Sequence, residues 1–473
     1  MTSPYECVIG LEVHVELSTA SKIFCRCATA FGAAPNTLVC PVCLGYPGAL
    51  PVLNREAVRY AVMAGIATHC TVTPLSRMAR KHYVYPDLPK GYQISQGEVP
   101  ICKDGYLSFD AEGKTHTVHI VRIHLEEDAG KLLHEGGVTR LDANRCGVPL
   151  IEIVSAPELH SGEQAAQYLK TLHALMRFIG ISDCRMQEGS FRCDVNISLH
   201  KKGAETHGVR TEIKNLNSFR FAKEAIDAEI KRQSALLDRG ERIESVTLRY
   251  DPAARDVLVM RRKESSADYR ISVDPDLPPV FVTQEELERI AAAMPELPDA
   301  RCARYLQNGL SVPQASTLAT ERGLSDLFDT VCAAGADAKT AATLLLSVQK
   351  ELQSSARMPN AAHFAELCSM AHGGTLTRGT VKRLLHELLS NDFSPKEVVR
   401  TQGLARITDK GVLAALLREA IDADPRPLAD FARGKKNAAA AYVGSVMRRT
   451  DGRADAALLG ELLEETVQNA TKE

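Results

Sequence analysis

Glu12, His14 and Glu16 alternate with Leu11, Val13, Val15 and Leu17, and the same rhythm recurs four times further along the chain. Arg122, His124 and Glu126 alternate with Val121, Ile123 and Leu125, and Glu152 stands between Ile151 and Ile153. Asp194, Asn196, Ser198 and His200 alternate with Val195, Ile197 and Leu199; Arg210, Glu212 and Lys214 alternate with Val209, Thr211 and Ile213. A period of two puts successive side chains on opposite faces of a strand. If these strands share one sheet, it has an apolar back and a front of carboxylates, histidines, an amide and cations. Such a front can hold a divalent metal and a phosphate chain. Any one of these polar faces is also what a solvated antiparallel sheet shows. The residue types tip the balance: a wet face usually carries Thr, Lys and Ser, whereas Glu, His, Asp and Asn are oxygen and nitrogen ligands.

Four longer strings add to this set. Segment 80–96 combines three tyrosines, two prolines and two glutamines with Arg80, Lys81 and Lys90, a stiff polar composition that suits a loop lining a site. Arg80, Lys81 and Tyr83 are its candidates for meeting a phosphate or a base. In segment 124–131, Glu126, Glu127 and Asp128 follow His124 closely, and such acids repel one another unless a cation sits among them. Mg2+ prefers one or two carboxylates plus phosphate oxygens and waters, so a pair drawn from Glu12, Glu126, Glu127 and Glu152 is enough. Segments 142–152 and 212–219 carry further polar residues, and Asn217 or Ser218 is positioned to cap a following helix whose free amides favour an anion. The chain has neither G-x-x-x-x-G-K-[ST] nor G-x-G-x-x-G, which excludes P-loop and Rossmann nucleotide binding.

A second constellation is Cys25-x-Cys27, twelve residues, then Cys40-Pro41-Val42-Cys43. Paired knuckles of this kind suit tetrahedral thiolate ligation of structural Zn2+, with Gly32, Pro35 and Asn36 turning the connecting segment back. The total of 13 cysteines is odd and scattered, which argues against a disulfide framework and for a reducing compartment. The remaining nine read as small core residues.

The elements that must position these groups fall into two stretches. Residues 1 to about 290 mix short strands with helices at 54–68, 161–179 and 219–239, the second opened by Ser161 and Gln164 as a capping box. After the stiff Pro275-Asp276-Leu277-Pro278-Pro279, strand signals fade and helices follow one another. The expected fold is α+β, an antiparallel sheet domain followed by all-helical parts, divided as 1–292, 293–406 and 407–473. Net charge is −2, so any nucleic-acid contact must come from a local patch. No apolar run approaches the length of a membrane helix, and the first residues lack a signal peptide's basic start and apolar stretch, so a cytoplasmic protein is expected.

Segments 10–17, 40–54, 85–96, 124–131, 144–154 and 212–219 closely resemble the signature segments of GatB, the B subunit of the bacterial aspartyl/glutamyl-tRNA(Asn/Gln) amidotransferases. The resemblance continues through Met260-Arg261-Arg262-Lys263-Glu264, Asp268-Tyr269-Arg270 and Gly444-Ser445-Val446-Met447. It implies a ligase component of a heterotrimer that also contains an amidase (A) and a small (C) subunit. That enzyme uses ATP and Mg2+ to phosphorylate the side-chain carboxylate of Glu misacylated on tRNA(Gln), or Asp on tRNA(Asn). Ammonia from the amidase then displaces phosphate. The implied architecture is a cradle-shaped catalytic domain, a helical domain and a small helical tail that holds tRNA.

The resemblance also distributes roles. Glu12, His14, Glu126, Glu152 and Asp194 are assigned to Mg2+, with Asp128 nearby. Lys81, Arg192 and Lys214 are assigned to phosphates, and Arg80, Tyr83, Asn196 and Glu212 to the nucleotide. Glu127 or His124 takes a proton from ammonium. Arg433, Lys435, Lys436, Arg448 and Arg449 lie between Arg426 and Arg453, where the only acids are Asp430 and Asp451, and are assigned to tRNA phosphates. Two segments depart from the family pattern: Ile271-Ser272-Val273-Asp274 replaces the usual aromatic and proline residues, and Arg453-Ala454-Asp455-Ala456 replaces Ala-Asn-Pro. A rival reading keeps the fold and loses the catalysis, leaving a zinc-bearing tRNA scaffold; Mg2+- and tRNA-dependent ATP cleavage separates the two.

Overall fold

A computed structural model of the chain describes residues 4–204, 206, 208–262, 269–355, 357–428 and 439–470. It divides into two compact units, Met1–Leu297 and Pro298–Glu473.

The first unit runs β1 (Tyr5–Glu16), α1 (Arg55–Ala67), β2 (Thr71–Val72), β3 (Leu75–Ser76), β4 (Met78–His82), β5 (Tyr92–Gln96), β6 (Cys102–Ala111) and β7 (Lys114–Glu127). It continues with β8 (Lys131–Glu135), β9 (Val138–Asp142), β10 (Pro149–Ser155), α2 (Gly162–Phe178), β11 (Phe191–Lys201), β12 (Thr211–Leu216) and α3 (Phe219–Asp238). Strands β13 (Val246–Asp251), β14 (Asp256–Arg262), β15 (Ser272–Val273) and β16 (Val280–Phe281) follow, and helix Gln284–Ala293 ends the series.

Nine strands form one sheet in the order β14-β13-β12-β11-β1-β10-β7-β6-β2. The five alternating segments of the sequence occupy five consecutive places in it, β12 to β7. Pairing is antiparallel throughout except between β12 and β13. The apolar back is sealed: Leu11, Val13, Val15, Ile123, Ile151, Ile153, Val195 and Ile197 are all 0% exposed. The stripe Tyr168, Leu169 and Leu172 of α2 joins them in one core cluster with Ala222 and Ile226 of α3. Burying each such aliphatic side chain stabilises the fold by about 1.5–3 kcal/mol. A charge at Val13 would lose that term and strand an unpaired ion at the centre of the core.

Local chemistry explains where the packing helices begin and end. Asn54 caps α1, accepting the Glu56 N–H at 2.9 Å while its amide donates to the Ser21 carbonyl. Ser161 caps α2 by accepting the Gln164 N–H, but the Gln164 side chain reaches back to the His160 N–H rather than to that of Ser161, so the expected capping box is displaced by one residue. Gly180 then takes a φ of 76°, the left-handed conformation that ends a helix cheaply only for glycine. Ser218 holds the N-cap position of α3, yet its hydroxyl makes no capping bond, so that helix start rests on backbone geometry alone.

Segment 80–96 is a strand, a turn and a strand rather than a loop. β4 and β5 pair antiparallel, and β15 adds a third strand beside β4. β15 comes from the segment that departs from the family pattern, and Asp274 at its end accepts from Arg80 at 2.7 Å.

The second unit is helical from Pro298–Gln307 to Ala456–Ala470. It has two apolar clusters, one from Tyr305 to Val399 and one from Leu413 to Leu463. Several of its helices start at side-chain caps, Thr377, Ser394 with Pro395 after it, and Asp409 among them. Among the described residues, no helix is long and apolar enough to cross a membrane.

Candidate functional site

Strand register brings the front of the sheet together. Glu152 on β10 lies opposite His14 on β1 and opposite His124 on β7, and His14 lies opposite Arg192 on β11. One transverse row therefore reads His124, Glu152, His14, Arg192 across four strands. One step along, Glu12 faces Asp194, and one step further Asn196 faces Glu212.

Two ligand clusters result, where the sequence suggested one set. The first holds His14, Glu126 and Glu152, with a ligand atom of each within 4.8 Å of the others. Glu152 Oε2 is 3.5 Å from His14 Nε2 and 3.4 Å from His124 Nε2, and His124 Nε2 is 3.2 Å from Glu126 Oε1. Burial opposes charge on His124, but the Glu126 and Glu152 carboxylates prevail and lift its pKa to about 9. Burial likewise opposes charge on Glu152, and the two histidines overcome it and hold its pKa well below the usual carboxylate range. The Nδ1 atom of His14 is buried without a hydrogen-bond partner among the described residues.

The second cluster holds Glu12, Asp194 and Glu212 within the same 4.8 Å limit. It already contains a cation. Lys214 Nζ lies 3.0 Å from Asp194 and 3.0 Å from Glu212. Burial works against the ammonium, yet Asp194 and Glu212 raise its pKa above the ordinary lysine value. The Asn215 N–H also donates to Asp194, and the Asn196 amide donates to Glu12 at 3.0 Å. Desolvation and then the Glu152 charge push the Glu12 pKa up.

Other predicted residues are engaged nearby. Arg192 donates two parallel bonds to Asp128, at 2.8 and 2.9 Å, with Arg145 at 3.7 Å from the same carboxylate. Burial is overcome by Arg192 and Arg145, which hold Asp128 ionised, while burial and the Asp128 charge push Glu16 up to about 9. Glu127 is fully buried, bonded to Lys90 Nζ at 2.7 Å and to the Ile94 N–H at 2.7 Å. Lys81 lies with its ammonium 4.8 Å from the Tyr269 ring centre; burial opposes charge on Glu126, but His124 and, to a lesser degree, Lys81 lower its pKa. Arg80 is bound to Asp274 and Asp276, so its guanidinium braces the small sheet in this structure. The Tyr83 hydroxyl lies 3.4 Å from the Asp87 carboxylate.

Three residues of this site were not singled out as ligands or partners. Ser95 Oγ donates to Glu126 at 2.7 Å, Gln93 donates to Glu126 and to the Glu127 carbonyl, and Lys90 pairs with Glu127. Gln93 and Ser95 flank Ile94, the same alternation used elsewhere, but two polar residues after a Pro- and Gly-containing string read as loop.

Cys25, Cys27, Cys40 and Cys43 converge, with their sulfurs within 4.8 Å of one another. A hydrogen bond from Cys25 draws the Cys43 pKa down to about 4, while the reciprocal contact pushes Cys25 up. Four crowded thiols stabilising a thiolate are the donor set of a tetrahedral metal. Of the remaining cysteines, Cys70, Cys302 and Cys332 are half-buried and the other six are buried.

In the helical unit, Arg448 and Arg449 close helix Ala439–Arg449, and Arg449 pairs with Glu419 at 2.7 Å. Arg433, Lys435 and Lys436 lie outside the described residues. Arg426 pairs with Asp424, and Arg453 donates to the carbonyls of Thr450 and Gly403.

Comparison with known proteins places these features. Residues 7–288 match the model of the GatB/GatE catalytic domain, and residues 326–467 match that of the GatB domain. The chain is 42% identical over 472 residues to the B subunit of the aspartyl/glutamyl-tRNA(Asn/Gln) amidotransferase of Moorella thermoacetica, covering 98% of this chain and 99% of that protein. It is 45% identical to the same-named protein from Anaeromyxobacter sp. (strain K), and 44% identical to that of Geobacter sulfurreducens. Those alignments cover 98% and 97% of this chain, and 98% of each relative.

Proposed function

This chain belongs to the GatB family, the B subunits of aspartyl/glutamyl-tRNA(Asn/Gln) amidotransferases, and from that premise we propose that it activates and amidates Glu on tRNA(Gln), Asp on tRNA(Asn), or both, in the cytoplasm. The observation that carries the proposal is the pair of ligand clusters side by side on one sheet front. A carboxylate resists ammonia because its leaving group would be oxide. In the proposed reaction a carboxylate oxygen of the aminoacyl group attacks the γ-phosphorus of ATP, and ADP leaves. Ammonia nitrogen then bonds to the activated carbonyl carbon, the C–O bond to phosphate breaks, and one proton is shed.

The first cluster fits Mg2+: two carboxylates supply hard oxygen donors, and an imidazole with an unpartnered Nδ1 stands beside them. Glu126 and Glu152 would hold the ion, with Glu12, His14 and Asp194 around it. When bound, the ion would neutralise charge on the transferred phosphoryl group. Lys214, Lys81 and Arg192 contribute fixed positive charge along the phosphate path, while Arg80, Tyr83, Asn196 and Glu212 contact the nucleotide. Ammonia must attack as the neutral species, and Glu127, or His124 once a bound cation has displaced its proton, accepts the proton that ammonium sheds. The cysteine set fits a structural Zn2+. An amidase partner supplies ammonia and a small third chain completes the heterotrimer. Residues 1–292 act as the kinase and transamidase part, 293–406 as the helical domain and 407–473 as the tail that contacts tRNA.

Amide formation by the assembled enzyme on both misacylated tRNAs, with ATP and Mg2+, tests this reading. Product on at least one tRNA is expected, together with ATP cleavage that needs charged tRNA. Absence of both supports the silent scaffold instead. Neutralising Lys435 and Lys436 is expected to raise KM for charged tRNA and flatten its salt dependence.

A further inference from the structure

One lysine beside the thiol cluster has no acid to answer it. Lys22 is 0% exposed, and among the described residues its Nζ makes a single hydrogen bond, to the Ala143 carbonyl at 3.3 Å, and no ion pair with a carboxylate. An ammonium has three donors, and burying its charge without a partner is costly. Lys90 shows the usual solution: almost as enclosed, it lies 2.7 Å from Glu127. Lys22 lies against the thiol cluster instead. Its backbone N–H donates to the Cys27 carbonyl at 2.9 Å, and a bridge between Ser21 and Ala28 closes the turn that carries Cys25 and Cys27. Cys25 comes first in drawing Cys43 toward its thiolate; the Cys40 N–H, 3.1 Å from that sulfur, and the Lys22 charge act in the same direction.

We propose that Lys22 is the built-in counter-charge of a zinc tetrathiolate, an inference that rests on the zinc reading of the four cysteines. Four thiolates set about four negative charges against two on the ion, a net of about −2. A buried anion of that size needs compensation as much as the buried lysine does. Neutral thiols would leave Lys22 uncompensated, whereas thiolates on the metal give it the partner that no carboxylate supplies. The Cys40 N–H bonded to Cys43 offsets part of the remaining negative charge. The neutralised unit is also stitched to the acidic segment of the sheet front. The Ile23 N–H donates to the Gly147 carbonyl at 2.7 Å and the Gly147 N–H to the Asp128 carbonyl at 3.0 Å, while Lys22 itself holds Ala143 of the same loop. What holds the knuckle therefore also holds the backbone of Asp128.

Two substitutions separate charge from packing. Lys22→Met removes the charge and the hydrogen bond at similar length; Lys22→Gln removes the charge and keeps a donor for Ala143. Zinc affinity of the full chain is measured by competition with a chromogenic chelator in excess Mg2+, and the melting temperature is measured with and without zinc. Both variants are expected to bind zinc roughly ten- to hundredfold more weakly than wild type. The zinc-loaded variants melt below zinc-loaded wild type, whereas the metal-free variants melt at or above metal-free wild type, because the uncompensated charge is gone. A packing role alone does not give that reversal of sign. An equal drop in both forms overturns the proposal, as does wild-type zinc affinity in Lys22→Gln, which reduces Lys22 to a hydrogen-bond donor. If Lys22→Met does not fold, Lys22→Gln decides by the same readings. Zinc held equally tightly by wild type and both variants sinks this inference alone; a wild-type chain that binds no zinc sinks the zinc reading and the counter-charge with it.

Discussion

The two acidic clusters on the sheet front are built from the same residue types but are neutralised differently. Around Glu126 and Glu152 the balancing charge sits on imidazoles, groups that gain and lose protons within the range of ordinary buffers. Around Asp194 and Glu212 it sits on Lys214, an ammonium that those carboxylates hold in its charged form. On the proposed reading, the first cluster exchanges its counter-charge for an external cation. The second carries its cation on a tether and presents it to whatever crosses the front. Three carboxylates within one 4.8 Å set are therefore not by themselves a metal centre. What matters is whether the protein has already supplied the positive charge.

The strongest test of that contrast is Glu152→Gln. It removes the one carboxylate shared by His14 and His124 while keeping the shape, and ATP cleavage is expected to fall by roughly a thousandfold. Thermal unfolding separates this from misfolding. Next is Lys214→Met, which leaves Asp194 and Glu212 facing each other without a cation. Because Lys214 is partly exposed, the expected loss is about 1–3 kcal/mol in denaturant unfolding. Adding Asp194→Asn should restore part of it, a positive coupling in the double-mutant cycle. If Lys214→Met costs nothing and the Asp194 change adds nothing, the tethered-cation account of this cluster fails.

Smaller effects sharpen the picture. Ser95→Ala removes the 2.7 Å donor that orients Glu126, and a roughly tenfold loss of ATP cleavage is expected, recovered by Ser95→Thr. Cys25→Ser should lower bound zinc by metal analysis of the purified chain; full retention rules out the four-thiolate assignment. The smallest effect lies away from the sheet, at Asp455. It caps the last helix and pairs with Arg406 at 2.6 Å, so Asp455→Ala should cost about 1–2 kcal/mol of stability. Burial opposes its charge, but Arg406 prevails and depresses its pKa. Its stabilisation is therefore present above the unfolded carboxylate pKa near 4 and is lost as pH falls through the lower folded value. Comparing wild type and Asp455→Asn across acid pH checks the sign.

Much of this site was legible because its signal is local. Alternation marked Glu12, His14, Glu126, Glu152, Asp194 and Glu212 as one-sided, and the cysteine spacing marked the thiol cluster. The division into two clusters was not legible, because it depends on cross-strand register. Glu152 meets two histidines only because β10 lies between β1 and β7, strands that are far apart in the chain. Arg80 was read only as a phosphate or base contact, because its partners, Asp274 and Asp276, are more than 190 residues away. Gln93 and Ser95 were hidden by their neighbours, since a short strand after a Pro- and Gly-containing turn resembles a loop until a partner strand fixes it.

By itself, the sequence determined which residues share a face, where the three long helices of the first unit start and stop, and which thiols cluster. Those properties follow from backbone sterics and hydrogen bonds spanning a few residues. The tertiary structure decided strand order, register and the identity of each counter-charge. They emerge when the apolar backs of five separated strands must be buried together, and that burial sets which carboxylate meets a histidine and which meets a lysine.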